Sequence, residues 1–184
     1  MSFRKATKTA PQTNSDRCLI QRQEYAKQML KLLEAGKRIV NVDESWLNDS
    51  TYFYQLWAPK HQANSVAKKT VTPRISVIAA MDTDGRIWYS LLQANTDSEV
   101  FSLFMKSLSA QFDEELPGWR ANTVYLLDGA RYHTSPESRA EFAKMGLQVH
   151  YTAPYSYPSS PVERLFAGLK RGELNQNPKK QSRR

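Results

Sequence analysis

Several features are scarce or absent in this sequence, and each absence narrows what the chain can be. Cys18 is the one cysteine among 184 residues, which excludes an internal disulfide framework and a cysteine-ligated zinc cluster and makes a reducing compartment the default. No apolar run approaches the roughly 18 residues of a membrane span, and the polar, basic start lacks the apolar core of a secretory signal. We therefore expect a soluble intracellular protein that does not enter a membrane.

Acidic residues are outnumbered by basic ones. The chain has 26 lysines and arginines against 18 aspartates and glutamates, for a formal net charge of +8. A basic surface favours a polyanionic partner and fits nucleic acid better than an acidic small molecule. The length allows one domain with a real core and is too short for two of ordinary size. One catalytic or binding unit that meets nucleic acid is the expectation.

Local patterns predict an alternation of strands and helices. The stretch 84–85, Asp-Gly, between two apolar runs indicates a hairpin turn. Strand, helix and strand follow one another after it, which implies a parallel crossover. In chain order the patterns predict a basic arm over 1–16, a helix over 17–36, strands over 38–45 and 51–59, a basic loop over 60–74, the hairpin over 75–94, a helix over 96–116, a strand over 122–128, a helix over 135–146, a strand over 147–153, a helix from 161 and a basic tail over 176–184.

Three carboxylates stand at the ends of these elements. Asp43 ends the first strand, Asp128 ends the strand "VYLL" immediately before Gly129, and Glu163 lies in the first turn of the last helix. Carboxylates on adjacent strand ends can bind hard cations such as Mg²⁺. Each also has a structural interpretation: Asp43 as a turn former with Glu44 and Ser45, Asp128 as a turn former before a glycine, and Glu163 as a partner of the helix dipole. Pleat alternation predicts that Glu44 points away if Asp43 points into a site.

The motifs "VDES", "LLDGARYH" and "APYSYPSSPVERLFAGLK" resemble those of the mariner-type and bacterial insertion-sequence DDE transposases over residues 18–175. Asp128 and Glu163 lie 35 positions apart (163 − 128), which is the interval of one large branch of that superfamily. The resemblance implies an α/β, ribonuclease H-like fold, with a mixed five-stranded sheet flanked by helices. It implies that residues 17–175 form the catalytic domain and that 17–36 form a linker helix.

The resemblance also implies the activity and the site. Asp43, Asp128 and Glu163 would be the catalytic residues and would hold two Mg²⁺ ions, with Mn²⁺ as a substitute. The chain would cleave double-stranded DNA at transposon ends and join it to target DNA, as a homodimer assembled on that DNA. Trp57 would make dimer contacts. Contacts with DNA are expected from the basic residues Lys60, Lys68, Lys69, Arg74, Lys170 and Arg171.

Departures from the family pattern leave alternatives open. Gly129 replaces the usual asparagine, "YPSSP" replaces the usual aspartate-leucine-asparagine-proline, and the stretch before Asp43 is too short for paired helix-turn-helix domains. The chain could be an excised or truncated catalytic domain, or a domesticated, catalytically silent DNA-binding or scaffolding protein. A ribonuclease H acting on RNA–DNA hybrids is a third possibility. His133 has two interpretations, a tuning residue or a structural histidine. The expected location is the nucleus in a eukaryote and otherwise the cytoplasm or nucleoid.

Overall fold

A computed structural model describes residues 11–47, 75–156 and 160–171 of the chain. The strand predicted over 51–59, the basic loop over 60–74 and the tail over 176–184 lie outside the described residues. Five of the residues proposed for DNA or dimer contacts lie there too: Trp57, Lys60, Lys68, Lys69 and Arg74.

Within the described ranges, five strands form one mixed sheet in the order β3-β2-β1-β4-β5. Strand β2 pairs antiparallel with both β3 and β1, whereas β4 pairs parallel with both β1 and β5. This arrangement confirms the α/β, five-stranded architecture expected from the sequence. The strands are β1 (Arg38–Leu47), β2 (Ile75–Asp82), β3 (Ile87–Leu92), β4 (Thr123–Leu127) and β5 (Gln148–Tyr151).

Three of the described helices begin at a residue whose side chain caps the first turn, namely Ser15, Asp97 and Ser135. Asp97 accepts a hydrogen bond from the backbone N–H of Val100 at 2.9 Å and Ser135 accepts one from Ser138 at 3.2 Å, so each satisfies a free backbone donor of a first helical turn. None of the described helices is long and apolar enough to cross a membrane. The helices are α1 (Asp16–Glu34), α2 (Ser98–Glu115), α3 (Trp119–Asn122), α4 (Arg131–Thr134), α5 (Pro136–Lys144) and α6 (Pro161–Arg171), preceded by a 3-10 turn at Pro11–Asn14.

The hairpin between β2 and β3 follows the sequence prediction. Gly85 takes φ +80°, a left-handed conformation that glycine adopts without steric cost. Asp82 shapes the same turn, because its carboxylate accepts hydrogen bonds from the backbone N–H groups of Asp84 and Arg86. Arg38 on β1 closes the base of the hairpin with an ion pair of 2.6 Å to Asp82.

The two faces of the sheet carry separate apolar clusters. One face packs against α2 and α5 through side chains that include Val40, Val42 and Tyr125. On the other face, Val162 and Phe166 of α6 pack against Val77 and Ala79 of β2. Successive residues of β1 point to opposite faces, so α6 is held on the face opposite to the larger core.

Candidate active site

The predicted carboxylates line one cleft at the carboxyl ends of the inner strands β1 and β4. β1 pairs antiparallel with β2 on one side and parallel with β4 on the other, and ligands of open α/β sheets collect at the carboxyl ends of strands at such a switch point. The ladder between β1 and β4 ends at the pair Asn41–Leu126. Asp43 lies two residues beyond on β1, and Asp128 directly follows β4. Both of them and Glu163 line one cleft of about 540 Å³.

Asp43 is surrounded by like charge. Its Oδ1 accepts a hydrogen bond of 2.8 Å from the backbone N–H of Glu44, which favours the ionised form. Burial opposes ionisation more strongly, and the charges of Glu44, Asp128 and Glu163 add to it, so the pKa of Asp43 rises to about 7. The neighbouring groups of the cleft therefore do not neutralise the negative charge that Asp43 carries when it is ionised.

The pKa of Asp128 is lowered, in contrast to that of Asp43. Its Oδ1 accepts hydrogen bonds from Nδ1 of His133 at 2.6 Å and from the backbone N–H of Ala130 at 3.0 Å. The hydrogen bond from His133 is the main reason that the pKa of Asp128 lies below its ordinary value. The side chain is 50% exposed, so Asp128 is an ionised carboxylate that is fixed on one side and accessible from solvent.

His133 connects Asp128 to another acidic residue that lines the cleft, Glu44. It is fully buried on α4, against the ring of Phe101 in α2, and its Nε2 lies 3.1 Å from Oε1 of Glu44. Burial alone would lower the pKa of His133, but the hydrogen bonds to Asp128 and Glu44 outweigh it and raise the pKa to about 9. With a carboxylate at each ring nitrogen, the imidazole donates from both and carries a positive charge at neutral pH.

The side chain of Glu44 points towards His133. Its other carboxylate oxygen accepts a hydrogen bond of 2.8 Å from the hydroxyl of Tyr132, and its side chain is only 9% exposed. This agrees with the alternation predicted for Asp43 and Glu44. The sequence did not reveal the linked set Asp128, His133, Glu44 and Tyr132. The available signal was a histidine five positions after Asp128, next to a tyrosine, in "LLDGARYH".

Glu163 reaches the cleft because of how α6 is anchored. Val162 and Phe166 on either side of it are buried under the sheet, and the backbone N–H of Glu163 donates to the carbonyl of Ser160 at 3.2 Å. Glu163 itself is partly exposed. Lys170 lies about two turns further along the same helix and is also partly exposed. The backbone of Arg171 ends α6, and its side chain is outside the described residues.

Two properties of the three carboxylates decide whether they could hold a metal ion: the chemistry of their oxygen atoms and the spacing of their side chains. Asp43, Asp128 and Glu163 offer only carboxylate oxygens, the ligands that Mg²⁺ and Mn²⁺ prefer. Burial is the main cause of the raised pKa of Asp43, and the acidic neighbours Glu44, Asp128 and Glu163 add to it. The donor chemistry therefore fits a hard divalent cation. Across residues 11–47, 75–156 and 160–171, however, no three acidic, histidine or cysteine side chains are grouped closely enough to form a metal site as they stand.

Gly129, which follows Asp128 where β4 ends, is not among the glycines with positive φ. A Cβ at this position would meet nothing within 4 Å. The unusual backbone conformation of the cleft belongs instead to Tyr155, which has φ +59° and is 37% exposed.

The fold and the cleft are consistent with one protein family, which a comparison with known families identifies. Residues 38–183 match the sequence pattern described as DDE superfamily endonuclease, and the chain belongs to that family. This confirms the resemblance found in the motifs.

Solved structures of the Mos1 transposase share the fold. The Mos1 paired-end complex with the left transposon end has a TM-score of 0.70 at 21% identity, covering 92% of this chain and 52% of that one. The Mos1 catalytic domain has a TM-score of 0.66 at 20% identity, covering 91% and 77%. This chain thus spans about half the length of the transposase in the paired-end complex. None of the curated proteins is similar enough to count as a match. The likeness confirms the ribonuclease H-like fold.

Proposed function

We propose that this chain is the catalytic domain of a DDE transposase and performs metal-dependent DNA strand cleavage and strand transfer. The observation that carries the proposal is the convergence of Asp43, Asp128 and Glu163 on one cleft at the switch point of the sheet. The three residues come from β1, from the end of β4 and from α6, and each is the carboxylate that the family motif marks. In this reaction a phosphodiester is hydrolysed to leave a 3′-hydroxyl, and that hydroxyl then attacks a phosphodiester of the target DNA.

Two Mg²⁺ ions, or Mn²⁺ in their place, are the proposed cofactors, held by Asp43, Asp128 and Glu163. Such ions stabilise charge on the attacking and leaving oxygens of a phosphoryl displacement. The chain itself supplies the negative charge that holds cations. Asp128 is kept ionised and oriented by His133, whereas Asp43 is held close to neutrality in the metal-free chain. Because the three carboxylates are not grouped as a closed site, they have to converge when cations bind.

Double-stranded DNA is the proposed partner, both as transposon ends and as target. Support comes from the net charge of +8 and from the related structures, which include Mos1 with a transposon end, a Mos1 strand transfer complex, and Mos1 complexes with Mn and with Mg. We propose a homodimer assembled on DNA, residues 17–175 as the catalytic domain between a basic arm and a basic tail, and a location where DNA is found. The proposed DNA contacts are Lys60, Lys68, Lys69, Arg74, Lys170 and Arg171, and the proposed dimer contact is Trp57.

The test compares two aspartates that differ only in location. Supercoiled plasmid is incubated with Mn²⁺ and wild type, Asp128→Asn or Asp84→Asn, and nicked DNA is measured. Asp84 is an exposed aspartate in the hairpin turn, outside the cleft. We expect nicking by wild type and Asp84→Asn, and a loss of at least about 100-fold in Asp128→Asn, because removal of a metal-binding carboxylate removes transition-state stabilisation.

The possible outcomes separate the proposal from its rivals. Equal nicking by Asp128→Asn and wild type would show that the activity comes from elsewhere. DNA binding that is unchanged by chelator and by Asp128→Asn, with no nicking in any metal, would favour a silent DNA-binding protein. An RNA–DNA hybrid cut faster than duplex DNA would favour a ribonuclease H.

A further inference from the structure

Asn41 is a buried amide with an unusual set of partners. It lies on β1, two residues before Asp43, and is 3% exposed. Its Nδ2 donates to the backbone carbonyl of Leu126 on β4 at 3.2 Å. Its Oδ1 accepts two hydrogen bonds, from the hydroxyl of Ser160 at 2.8 Å and from the backbone N–H of Val162 at 3.1 Å. One side chain thus joins two strands and the start of a helix.

These partners are adjacent to the carboxylates of the cleft. Leu126 is two residues before Asp128, and Val162 is immediately before Glu163. Asn41 and Asp43 lie on the same face of β1, because side chains two apart on a strand point the same way. Asn41 or one of its hydrogen-bond partners therefore lies within two residues of each of the three carboxylates.

The requirement for an amide at this position is specific. The backbone ladder between β1 and β4 ends at the Asn41–Leu126 pair, so the hydrogen bond from Nδ2 extends the connection between the strands at the point where the ladder stops. An apolar residue would leave buried donors and an acceptor unpaired, and an aspartate would lose the donor to Leu126. Only a side chain with both a donor and an acceptor can contact both neighbours.

We propose that Asn41 is a positioning residue that sets Glu163 against Asp43 and Asp128, by tying the start of α6 to the ends of β1 and β4. This inference rests on the proposed function of the cleft. It assigns to Asn41 no contact with substrate or metal. Removal of a residue that is hydrogen-bonded directly to a metal ligand typically changes metal affinity by about 10–100-fold. Asn41 bonds to the neighbours of the proposed ligands, so we expect an effect at the lower end of that range, about 10-fold.

A double-mutant cycle tests the proposal. Mn²⁺ affinity is measured by calorimetry for wild type, Asn41→Leu, Glu163→Gln and the double variant, under conditions in which each is folded. If Asn41 acts through Glu163, each single substitution weakens Mn²⁺ binding about 10-fold or more, and the double variant binds no more weakly than Glu163→Gln alone, because Asn41 has nothing left to position. Fold-changes that simply multiply in the double variant would overturn the positioning role.

Control variants separate positioning from general destabilisation. Val40→Ala damages the buried core at the neighbouring position of β1, on the face away from α6, and should leave Mn²⁺ affinity unchanged while the chain is folded. Should Asn41→Leu fail to fold, Ser160→Ala removes one of the two hydrogen bonds to Oδ1, and Ser76→Ala is its control, since Ser76 is a buried serine that donates to the carbonyl of Ala94. We expect Ser160→Ala, and not Ser76→Ala, to weaken Mn²⁺ binding several-fold and to reduce the effect of Glu163→Gln.

Hydrogen exchange gives a readout that needs no metal. The amide N–H of Val162 donates to Asn41, so its protection should fall in Asn41→Leu and remain in Val40→Ala. Unchanged protection would refute the tie between α6 and β1. If the wild-type chain binds Mn²⁺ but Glu163→Gln has no effect on it, then the proposed role of Glu163 fails, and the positioning role fails with it. Normal Glu163 dependence with multiplicative fold-changes overturns the Asn41 proposal alone.

Discussion

The Asp43→Asn substitution tests whether the negative charge of Asp43 destabilises the folded protein in the absence of metal. The asparagine keeps an Oδ1 that can accept the hydrogen bond from Glu44 N–H but removes the carboxylate charge. The pKa of Asp43 rises from the ordinary 3.8 to about 7 on folding. Between these values the folded chain binds more protons than the unfolded chain, so the wild type loses stability as the pH rises through this window.

The linkage relation gives the size of the effect. A shift from 3.8 to about 7 corresponds to a ceiling of about 4 kcal/mol at pH 8 and less than about 1 kcal/mol at pH 4. Asp43 is partly exposed, and water screens part of the repulsion. We therefore expect Asp43→Asn to raise the free energy of unfolding by about 2–4 kcal/mol at pH 8, and by less than about 1 kcal/mol at pH 4.

Urea unfolding in the presence of a chelator measures this difference at pH 4, 6 and 8. Asp84→Asn is the matched control, because Asp84 is an exposed aspartate in the hairpin turn, and its effect should be small at every pH. Addition of Mn²⁺ should stabilise the wild type and reverse the order of the two proteins, since a ligand stabilises the state that binds it. A gain that is equal at pH 4 and pH 8, or no gain at pH 8, would refute the reasoning.

Three further predictions concern a buried ion pair and two glycines, and each is tested by urea unfolding at neutral pH. His133→Leu should lower the free energy of unfolding by about 3–5 kcal/mol, because it leaves Glu44 buried without its charged partner. The double variant with Glu44→Leu and His133→Leu should lose less stability, and a double variant less stable than His133→Leu would contradict this. Gly168→Ala should stabilise the chain by about 0.5–1 kcal/mol, because Gly168 lies inside α6 with open space around it; a loss would show an unrecognised contact. Gly146→Ala should instead cost about 1–2 kcal/mol, because Gly146 has φ +68° and a Cβ there would lie 3.3 Å from Arg120 Cδ; a neutral result would mean that the backbone relaxes.

Elements whose signal is local could be predicted from the sequence. The Asp84–Gly85 turn lies between two apolar runs, and it forms the hairpin. The apolar spacing of Val162, Leu165, Phe166 and Leu169 predicts a helix packed on one face, and α6 packs in this way. The first helix was expected over 17–36 and is observed at Asp16–Glu34, a difference of the size that frayed helix ends produce. Periodicity and caps act over a few residues, which is why they can be read directly.

Interactions that depend on distant residues could not be predicted in this way. Asn41 meets Val162 across 121 positions, and His133 meets Glu44 across 89. No local pattern marks such pairs, because they exist only once the strand order is set. The resemblance implied the mixed five-stranded sheet and the three carboxylates at its strand and helix ends, but not these contacts.

Four departures from ordinary structural rules lie at one end of the sheet. Asp43 has a raised pKa, His133 is a buried cation, Asn41 is a buried amide between the apolar residues Val40 and Val42, and Tyr155 is, in the described part of the chain, the one residue other than glycine with positive φ. Each costs stability when considered alone. Hydrophobic packing elsewhere in the sheet offsets such costs, and selection retains them where a function needs them. Because all four lie in or beside the cleft of Asp43, Asp128 and Glu163, physical strain and charge locate the same site that the family motif indicates, by an independent route.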